Sequence, residues 1–302
     1  MKAVLGIDWG GTYIKAGVVN YRGKIEKKLT FTSKNLRQKE VFIQELKRLI
    51  KELKEFSISG VGIGAPGIVD TKKGFIYYLP NVRGWENYPL GRVLRKELKI
   101  PVFIDNDANM FALAESRFGA AKGLSPAICL TLGTGLGGAV VIDGELLNTE
   151  ISAQELGHVP IALAGQKCAC GSRGCIETYT GNKRLLRRYK QLKSTKHKNF
   201  DVEYIFQRAL KGERAALIVW GEFSFHLGKF LSGMINLFNP KAIILGGGVS
   251  GAFKLFKPLV LKTIKENSMW PNLKGLKLLK AKLNNPGIIG SALLVKDKLA
   301  SV

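Results

Sequence analysis

The chain has 302 residues, 46% of them hydrophobic, and its 47 Lys and Arg against 23 Asp and Glu give a formal net charge of +24. That length and apolar content can bury one large core or two modest ones. The longest apolar segment, residues 215–238, is interrupted by Glu222, His226 and Lys229, which excludes a membrane span, and the run Ala3 to Ile7 meets Asp8 too soon for a signal peptide; a cytoplasmic chain is expected.

In chain order, Ala3 to Asp8 reads as a short buried strand ending in an acid and glycines, followed by β-like runs over Ile14 to Val19 and Ile25 to Phe31, with Arg22-Gly23 as the turn between them. Residues 36–56 place apolar side chains at helical spacing among charges, which predicts an amphipathic helix. Ile58 to Ala65 returns to a buried strand that Ala65-Pro66-Gly67 stops. Val102 to Ile104 leads into Asp105-Asn106-Asp107-Ala108-Asn109 and a helical pattern to Phe118. Ala127 to Thr131 and Gly138 to Ile142 form a strand pair around the glycine-rich segment 132–137, and Asp143-Gly144 is a hairpin signal. The segment Lys183 to Lys198 carries eight Lys or Arg and no acid. Glu213 to Phe238 reads as a long helix stopped by Asn239-Pro240, and the buried run Ala242 to Leu245 empties into Gly246-Gly247-Gly248. No low-complexity linker separates the halves. The basic residues are spread over the whole chain, so solvated surface and steering of an anionic substrate explain the charge better than a dedicated nucleic-acid face.

Three features carry chemistry. Asp8-Trp9-Gly10-Gly11-Thr12 pairs glycines whose backbone N–H groups can approach an anion with an acid that makes sense beside Mg²⁺ held by a carboxylate, water and phosphates. The second turn, Gly133-Thr134-Gly135, makes the same device recur, so that two such turns can grip the phosphates of a nucleotide, with Gly246, Gly247 and Gly248 leaving bare backbone for its adenosine. The third is His158 followed by Cys168-Ala169-Cys170-Gly171-Ser172-Arg173-Gly174-Cys175. One His and three Cys complete a closed tetrahedral zinc set, whereas disulfides would leave one of the three clustered cysteines unpaired. Cys129, alone in an apolar strand, is expected as a small buried hydrophobe. Glu155 and Glu177 bracket the cluster, and a helical turn would put Glu155 and His158 on one face, where a metal fixing His158 and Cys175 would hold both acids as hydroxyl acceptors for a polyol. Loss of that metal is expected to fall on the polyol side, with the glycine turns remote from it.

Taken together, Asp8 to Thr12, Gly64-Ala65-Pro66-Gly67, Asn106 to Asn109, Gly133 to Gly138, Glu155-Leu156-Gly157-His158, the cysteine run with Glu177, and Gly246 to Gly248 resemble the ROK kinases, part of the superfamily that includes hexokinase, actin and the heat-shock chaperone ATPases. The resemblance covers nearly the whole chain. It implies an α/β, two-lobed actin-like (ribonuclease H-like) ATPase fold with a cleft between the lobes and a zinc-binding loop. The expected lobes are 1–107 plus 288–302, the C-terminal helix returning to the N-terminal lobe, and 108–287.

The resemblance further implies phosphorylation of a hexose by MgATP at the 6-hydroxyl, glucose first, with structural Zn²⁺. Asp107 matches the catalytic base. Gly64, Ala65, Pro66 and Gly67, Asn81, Asn106, Glu155, His158 and Glu177 match sugar-side positions. Asp8, Gly10, Gly11, Thr12, Lys15, Gly133, Thr134, Gly135, Gly246, Gly247 and Gly248 match the nucleotide side. From the sequence alone, Asp107 reads equally well as a helix N-cap. Trp9, Tyr13 and Gln154 depart from the common family pattern. N-acetylmannosamine, N-acetylglucosamine, mannose or fructose could replace glucose, and inorganic polyphosphate could replace ATP, although polyphosphate users generally lack the cysteine cluster. The family also holds sugar-responsive repressors, which carry an N-terminal winged helix for which a first strand at Ala3 leaves no room. Dimers or tetramers are the expected assemblies, with no membrane and no specific nucleic-acid partner.

Overall fold

The computed structural model describes residues 3–11, 13–33, 38–80, 82, 84–147, 151, 154–194 and 200–300. Its Cα packing divides the chain into two compact units, residues 1–119, 144–154 and 283–302 in the first and 120–143 and 155–282 in the second. The boundary differs from the expected one at 107.

The first unit is built on a sheet in the order β3-β2-β1-β4-β7, from β1 (Ala3–Trp9), β2 (Tyr13–Val19), β3 (Ile25–Thr32), β4 (Ile58–Ala65) and β7 (Val102–Asn106). β1 and β2 are an antiparallel hairpin, whereas β4 and β7 run parallel to β1, so β1 and β4 are covered on both faces and read as near-continuous apolar runs. β5 (Ile68–Asp70) and β6 (Phe75–Tyr78) form a separate small hairpin. The amphipathic segment becomes α1 (Lys39–Glu52), burying Phe42, Leu46 and Leu49; residues 36 and 37 of the expected helix lie outside the described ones. Phe42 stacks on Trp9 at 4.4 Å with Trp85 edge-on at 4.8 Å, which explains the large residue at position 9: it fills an aromatic core between sheet and helix.

α2 (Leu90–Leu98) precedes β7, and α3 (Asp107–Phe118) follows it directly. α9 (Pro286–Ala300) returns to this unit. It lies on the sheet with Ser291 Oγ donating to Ile7 O at 2.8 Å, while Ile289, Leu293 and Leu294 pack with Met110, Leu113 and Ala114 of α3. That packing, together with Glu115 Oε1 accepting the Leu283 N–H at 2.9 Å, is why α3 belongs to the first unit and the boundary falls after it.

The second unit repeats the plan. Its hairpin is β8 (Ala127–Leu132) and β9 (Leu136–Ile142), and β11 (Ala242–Gly246) and β12 (Lys277–Lys280) add in parallel beside β8, in the order β9-β8-β11-β12. β10 (Glu145–Leu146) falls in the first unit's share of the chain. α4 (Glu177–Thr180), α5 (Asn182–Lys193), α6 (Val202–Leu210), α7 (Arg214–Phe238) and α8 (Phe253–Asn267) complete it. Trp220, Phe223 and Leu227 of α7 pack with Phe256 and Val260 of α8 and with Ile243 and Leu245 of β11 in one core. α7 ends where Asn239 turns left-handed at φ 43° before Pro240. Cys129 is fully buried in β8, as expected. Among the described residues no helix is long and apolar enough to cross a membrane.

Three cations of the basic segment are paired with acids within the unit. Arg184 and Arg188 of α5 reach Glu222 of α7 at 3.4 and 2.7 Å, and Lys193 reaches Glu213 at 3.6 Å.

Candidate functional site

In the first unit, Asp8 is the next-to-last residue of β1, opposite Lys15 in the β1–β2 register, and the turn closes with the Gly10 N–H donating to Tyr13 O at 3.0 Å. Burial raises the Asp8 carboxyl above the usual carboxylate range, and the Lys15 charge opposes the rise. The first turn of α9 reaches the same place: a Cβ on Gly287 would stand 2.6 Å from the Asp8 carboxyl carbon. Gly287 is absent from the sequence-predicted site residues, and its local signal is a glycine directly after the proline that opens α9. Thr12 lies outside the described residues. Gly11 has open space around it.

The parallel pairing of β4 with β7 sets Gly64 beside Asp105 and Ala65 beside Asn106, so the segment 64–67 and the start of α3 are brought together. The bond that fastens them is Asn106 Nδ2 donating to Gly67 O at 3.0 Å. Asn106 is also the N-cap of α3, its Oδ1 accepting from the Ala108 and Asn109 N–H groups at 2.8 and 3.3 Å. The cap is therefore supplied by Asn106, and Asp107 stands one residue inside, in the first helical turn, where the helix dipole favours a carboxylate. Asn109 Nδ2 and the Asn106 N–H both donate to Asp105 Oδ1, at 2.8 and 2.6 Å, which stiffens the segment from below. Asn81, expected on the sugar side, lies outside the described residues. Gln154 donates its side-chain amide to Leu147 O.

In the second unit the two remaining glycine turns sit on neighbouring strands. Gly246 pairs with Thr131 in the β8–β11 register, and Gly247, at φ 79°, lies so close to Leu132 that a Cβ would stand 2.3 Å from its carbonyl oxygen. Leu132 leads into Gly133-Thr134-Gly135, closed by the Gly133 N–H donating to Gly135 O at 3.0 Å.

The cysteine run folds into a loop held by isolated bridges of Pro160 with Cys175 and of Lys167 with Arg173. It gathers the ligand atoms of His158, Cys168, Cys170 and Cys175 within 4.8 Å of one another. A tetrahedral zinc ion with bonds of about 2.3 Å to sulfur and about 2.0 to 2.1 Å to nitrogen separates two sulfurs by about 3.8 Å and sulfur from nitrogen by about 3.5 Å. The structure has Cys170 Sγ 3.7 Å from Cys175 Sγ and Cys168 Sγ 3.5 Å from His158 Nδ1. All four cysteines are free thiols, and the set fits zinc. Burial pushes the Cys175 thiol up to about 12, whereas hydrogen bonding from the Ser172 backbone lowers that of Cys170.

The segment 156–158 is a single 3₁₀ turn rather than an α-helix, and it still brings i and i+3 together, with His158 Nε2 3.9 Å from Glu155 Oε2. One imidazole nitrogen thus faces the cysteines and the other faces an acid, the arrangement that fixes a metal-bound histidine's tautomer and orientation. Partial burial raises the Glu155 carboxyl above its usual range; His158 opposes this and the Glu177 carboxylate adds to it. Glu155, His158 and Glu177 therefore form one cluster of polar and acidic groups.

One contact changes the reading of Gly135. Glu177 Oε2 accepts the Leu136 N–H at 3.1 Å, and a Cβ on Gly135 would stand 1.9 Å from that oxygen. The glycine turn is thus in direct contact with the acid that follows the metal loop, and the expected remoteness of the two does not hold.

The ROK family model matches residues 4–298. The glucokinase of Thermotoga maritima is 36% identical over 98% of this chain and 98% of its own length. A ROK family glucokinase from Streptomyces griseus, solved in complex with glucose and AMPPNP, superposes with a TM-score of 0.82 at 31% identity over 98% of this chain and 99% of that one. The xylose repressor of Caldicellulosiruptor bescii is 30% identical over 99% of this chain and 79% of its own length.

Proposed function

This chain belongs to the ROK family, and from that premise we propose that it is a hexose kinase, transferring the γ-phosphoryl group of ATP to the 6-hydroxyl of a hexose, glucose first. The observation that carries the reading is the start of α3. Asn106 makes the helix cap, Asp107 stands one residue inside with its Oδ1 accepting the Ala108 N–H at 2.8 Å, and its carboxylate serves as the base that accepts the proton of the attacking hydroxyl. Phosphoryl transfer otherwise asks for positioning and charge neutralisation. Asn106 and the 64–67 segment line the sugar side, and Asn81 joins them on the family pattern. Glu155, His158 and Glu177 accept and donate at the remaining hydroxyls. On the family pattern Gly10, Gly11, Thr12, Lys15, Gly133, Thr134 and Gly135 are assigned to the phosphates and Gly246, Gly247 and Gly248 to the adenosine.

Asp8 would hold Mg²⁺, since a carboxyl whose ionisation burial disfavours gains most from a cation. Zinc at His158, Cys168, Cys170 and Cys175 has all four positions filled by protein and supplies order to the loop rather than an activated water.

Glucose is the first choice because of the glucokinase relatives; one hydroxyl or acetyl group decides the matter by pocket shape. A coupled assay over glucose, mannose, fructose, N-acetylglucosamine and N-acetylmannosamine, each with ATP and with inorganic polyphosphate, tests it. The highest kcat/KM is expected for glucose with ATP. A preference for polyphosphate would overturn the donor, and a preference for another sugar the acceptor.

Donor binding has its own probe. Nothing lies within 4 Å of the place a Gly133 side chain would take, so Gly133→Val leaves the fold alone and blocks only the approach of a ligand to the turn. It is expected to raise the KM for ATP far more than that for sugar. An equal rise in both would make the turn structural.

The repressor relative keeps a second reading in view. Because Arg184, Arg188 and Lys193 are paired with Glu222 and Glu213 and basic residues are spread over the whole chain, DNA binding is expected to be weak, sequence-independent and lost at moderate salt. Sequence-selective protection in footprinting would favour the repressor.

A further inference from the structure

The turn after β8 and the metal loop share a fastening. Glu177 lies two residues after Cys175, and its carboxylate reaches back across the sheet end to accept the Leu136 N–H at 3.1 Å, tucked against Gly135 where any side chain would collide with it. The chain then closes round the same turn. The Gly181 N–H donates to Glu177 O at 2.9 Å, and the Asn182 N–H donates to Gly133 O at 2.9 Å. On the other side Ile176 N–H donates to Val159 O at 3.0 Å, tying the residue before Glu177 to the one after His158. Metal loop, α4 and glycine turn are thereby one hydrogen-bonded piece, in which the Glu177 side chain makes the bond to Leu136.

We propose that Glu177 is a positioning residue for the phosphate turn as well as a hydroxyl acceptor, so that order imposed by the metal on Cys175 reaches the donor side through the Glu177 to Leu136 bond. This rests on the kinase reading for the assignment of the Gly133 turn to phosphate. The bond is charge-assisted, and it fixes the turn whose N–H groups must point at the anion. Coupling of this kind is reciprocal: what metal binding does for the turn, a phosphate on the turn does for metal retention.

The test is calorimetric titration with AMPPNP and, separately, with glucose, on wild type, Glu177→Ala, Glu177→Gln and Gly135→Ala, with zinc content and melting temperature measured on each. Glu177→Ala is expected to weaken AMPPNP binding roughly tenfold or more, the size of one hydrogen bond to a charged group. Glu177→Gln keeps an oxygen that accepts the Leu136 N–H, so it is expected to hold AMPPNP affinity within roughly threefold while weakening glucose binding. Gly135→Ala, which displaces the carboxylate, is expected to weaken both ligands. Wild type stripped of metal by a chelator is expected to lose AMPPNP affinity, and AMPPNP to slow release of zinc to a chelator. A folded, zinc-bearing Glu177→Ala that binds AMPPNP as wild type does would overturn this proposal alone. Unchanged AMPPNP affinity in the stripped wild type would overturn it as well, with no mutant needed. A wild type that does not bind AMPPNP would overturn the kinase reading and this proposal with it.

Discussion

Asp107→Asn is expected to lower kcat by roughly 100-fold or more while glucose affinity stays near that of wild type. The substitution removes the one property the chemistry needs, a group that takes the proton from the attacking hydroxyl, and keeps the shape. The fold should tolerate it, because the α3 cap is made by Asn106 Oδ1 and the Asn106 amide still ties α3 to Gly67. Asparagine at the first helical turn keeps an Oδ1 able to accept the Ala108 N–H, as Asp107 does at 2.8 Å, and forgoes a favourable charge–dipole interaction of about 0.3–1 kcal/mol. Steady-state kinetics and a glucose titration on the purified variant check it. A folded Asp107→Asn with near-normal turnover would remove Asp107 from the role of base.

The second large effect belongs to the metal. One zinc per chain is expected, and Cys170→Ser should lose it. Cys170 is exposed, so this variant alters the donor set without disturbing the buried Cys168 and Cys175. The loop between Val159 and Cys175 is held by isolated bridges and turns rather than by helix or sheet, and the free energy of a Cys3His site, on the order of 10 kcal/mol in zinc peptides, would order it. Without the metal, His158 loses the constraint on one nitrogen, and Glu155 and Glu177 lose the anchor points beside them. Glucose affinity is expected to fall by roughly 10-fold to 100-fold, the range seen when support around a metal-held site is removed. Nucleotide affinity should fall too, by less, because Glu177 also holds the Leu136 N–H. Metal analysis with calorimetry on Cys170→Ser measures both. A wild type without zinc would sink the metal site, and unchanged glucose affinity in the variant would sink its link to the sugar.

What could be read in the sequence was what is local. The cysteine run announces itself because a tetrahedral ion needs four donors close together and the chain supplies three within eight residues. The strand ends at Asp8, Asn106 and Gly246 were legible because apolar runs stop there at acids, amides or glycines, and the hairpin of each sheet was legible from alternation and turn chemistry. Contacts distant in sequence were not. Glu177 and Leu136 are 41 residues apart, and no pattern near either shows that Gly135 lacks a side chain for the sake of Glu177 rather than for a phosphate alone. Gly287 meets Asp8 only because α9 crosses back onto the first sheet. The choice between Asn106 and Asp107 as cap depends on one residue's backbone angles, φ −70° and ψ 145° at Asn106, which two adjacent capping residue types leave open. The place of α3 in the first unit is not legible for the same reason: the partner that packs on it, α9, is the last helix of the chain.

The most direct measurement is a ³¹P NMR time course of the purified chain with MgATP and glucose. The account predicts that the γ-phosphate resonance of ATP decays as a phosphomonoester resonance of glucose 6-phosphate and the signals of ADP grow in equal amounts, and that Asp107→Asn under the same conditions leaves the ATP spectrum almost unchanged. An ATP spectrum that stays constant with wild type and every hexose of the panel, or phosphate released to water with no sugar ester formed, would contradict it.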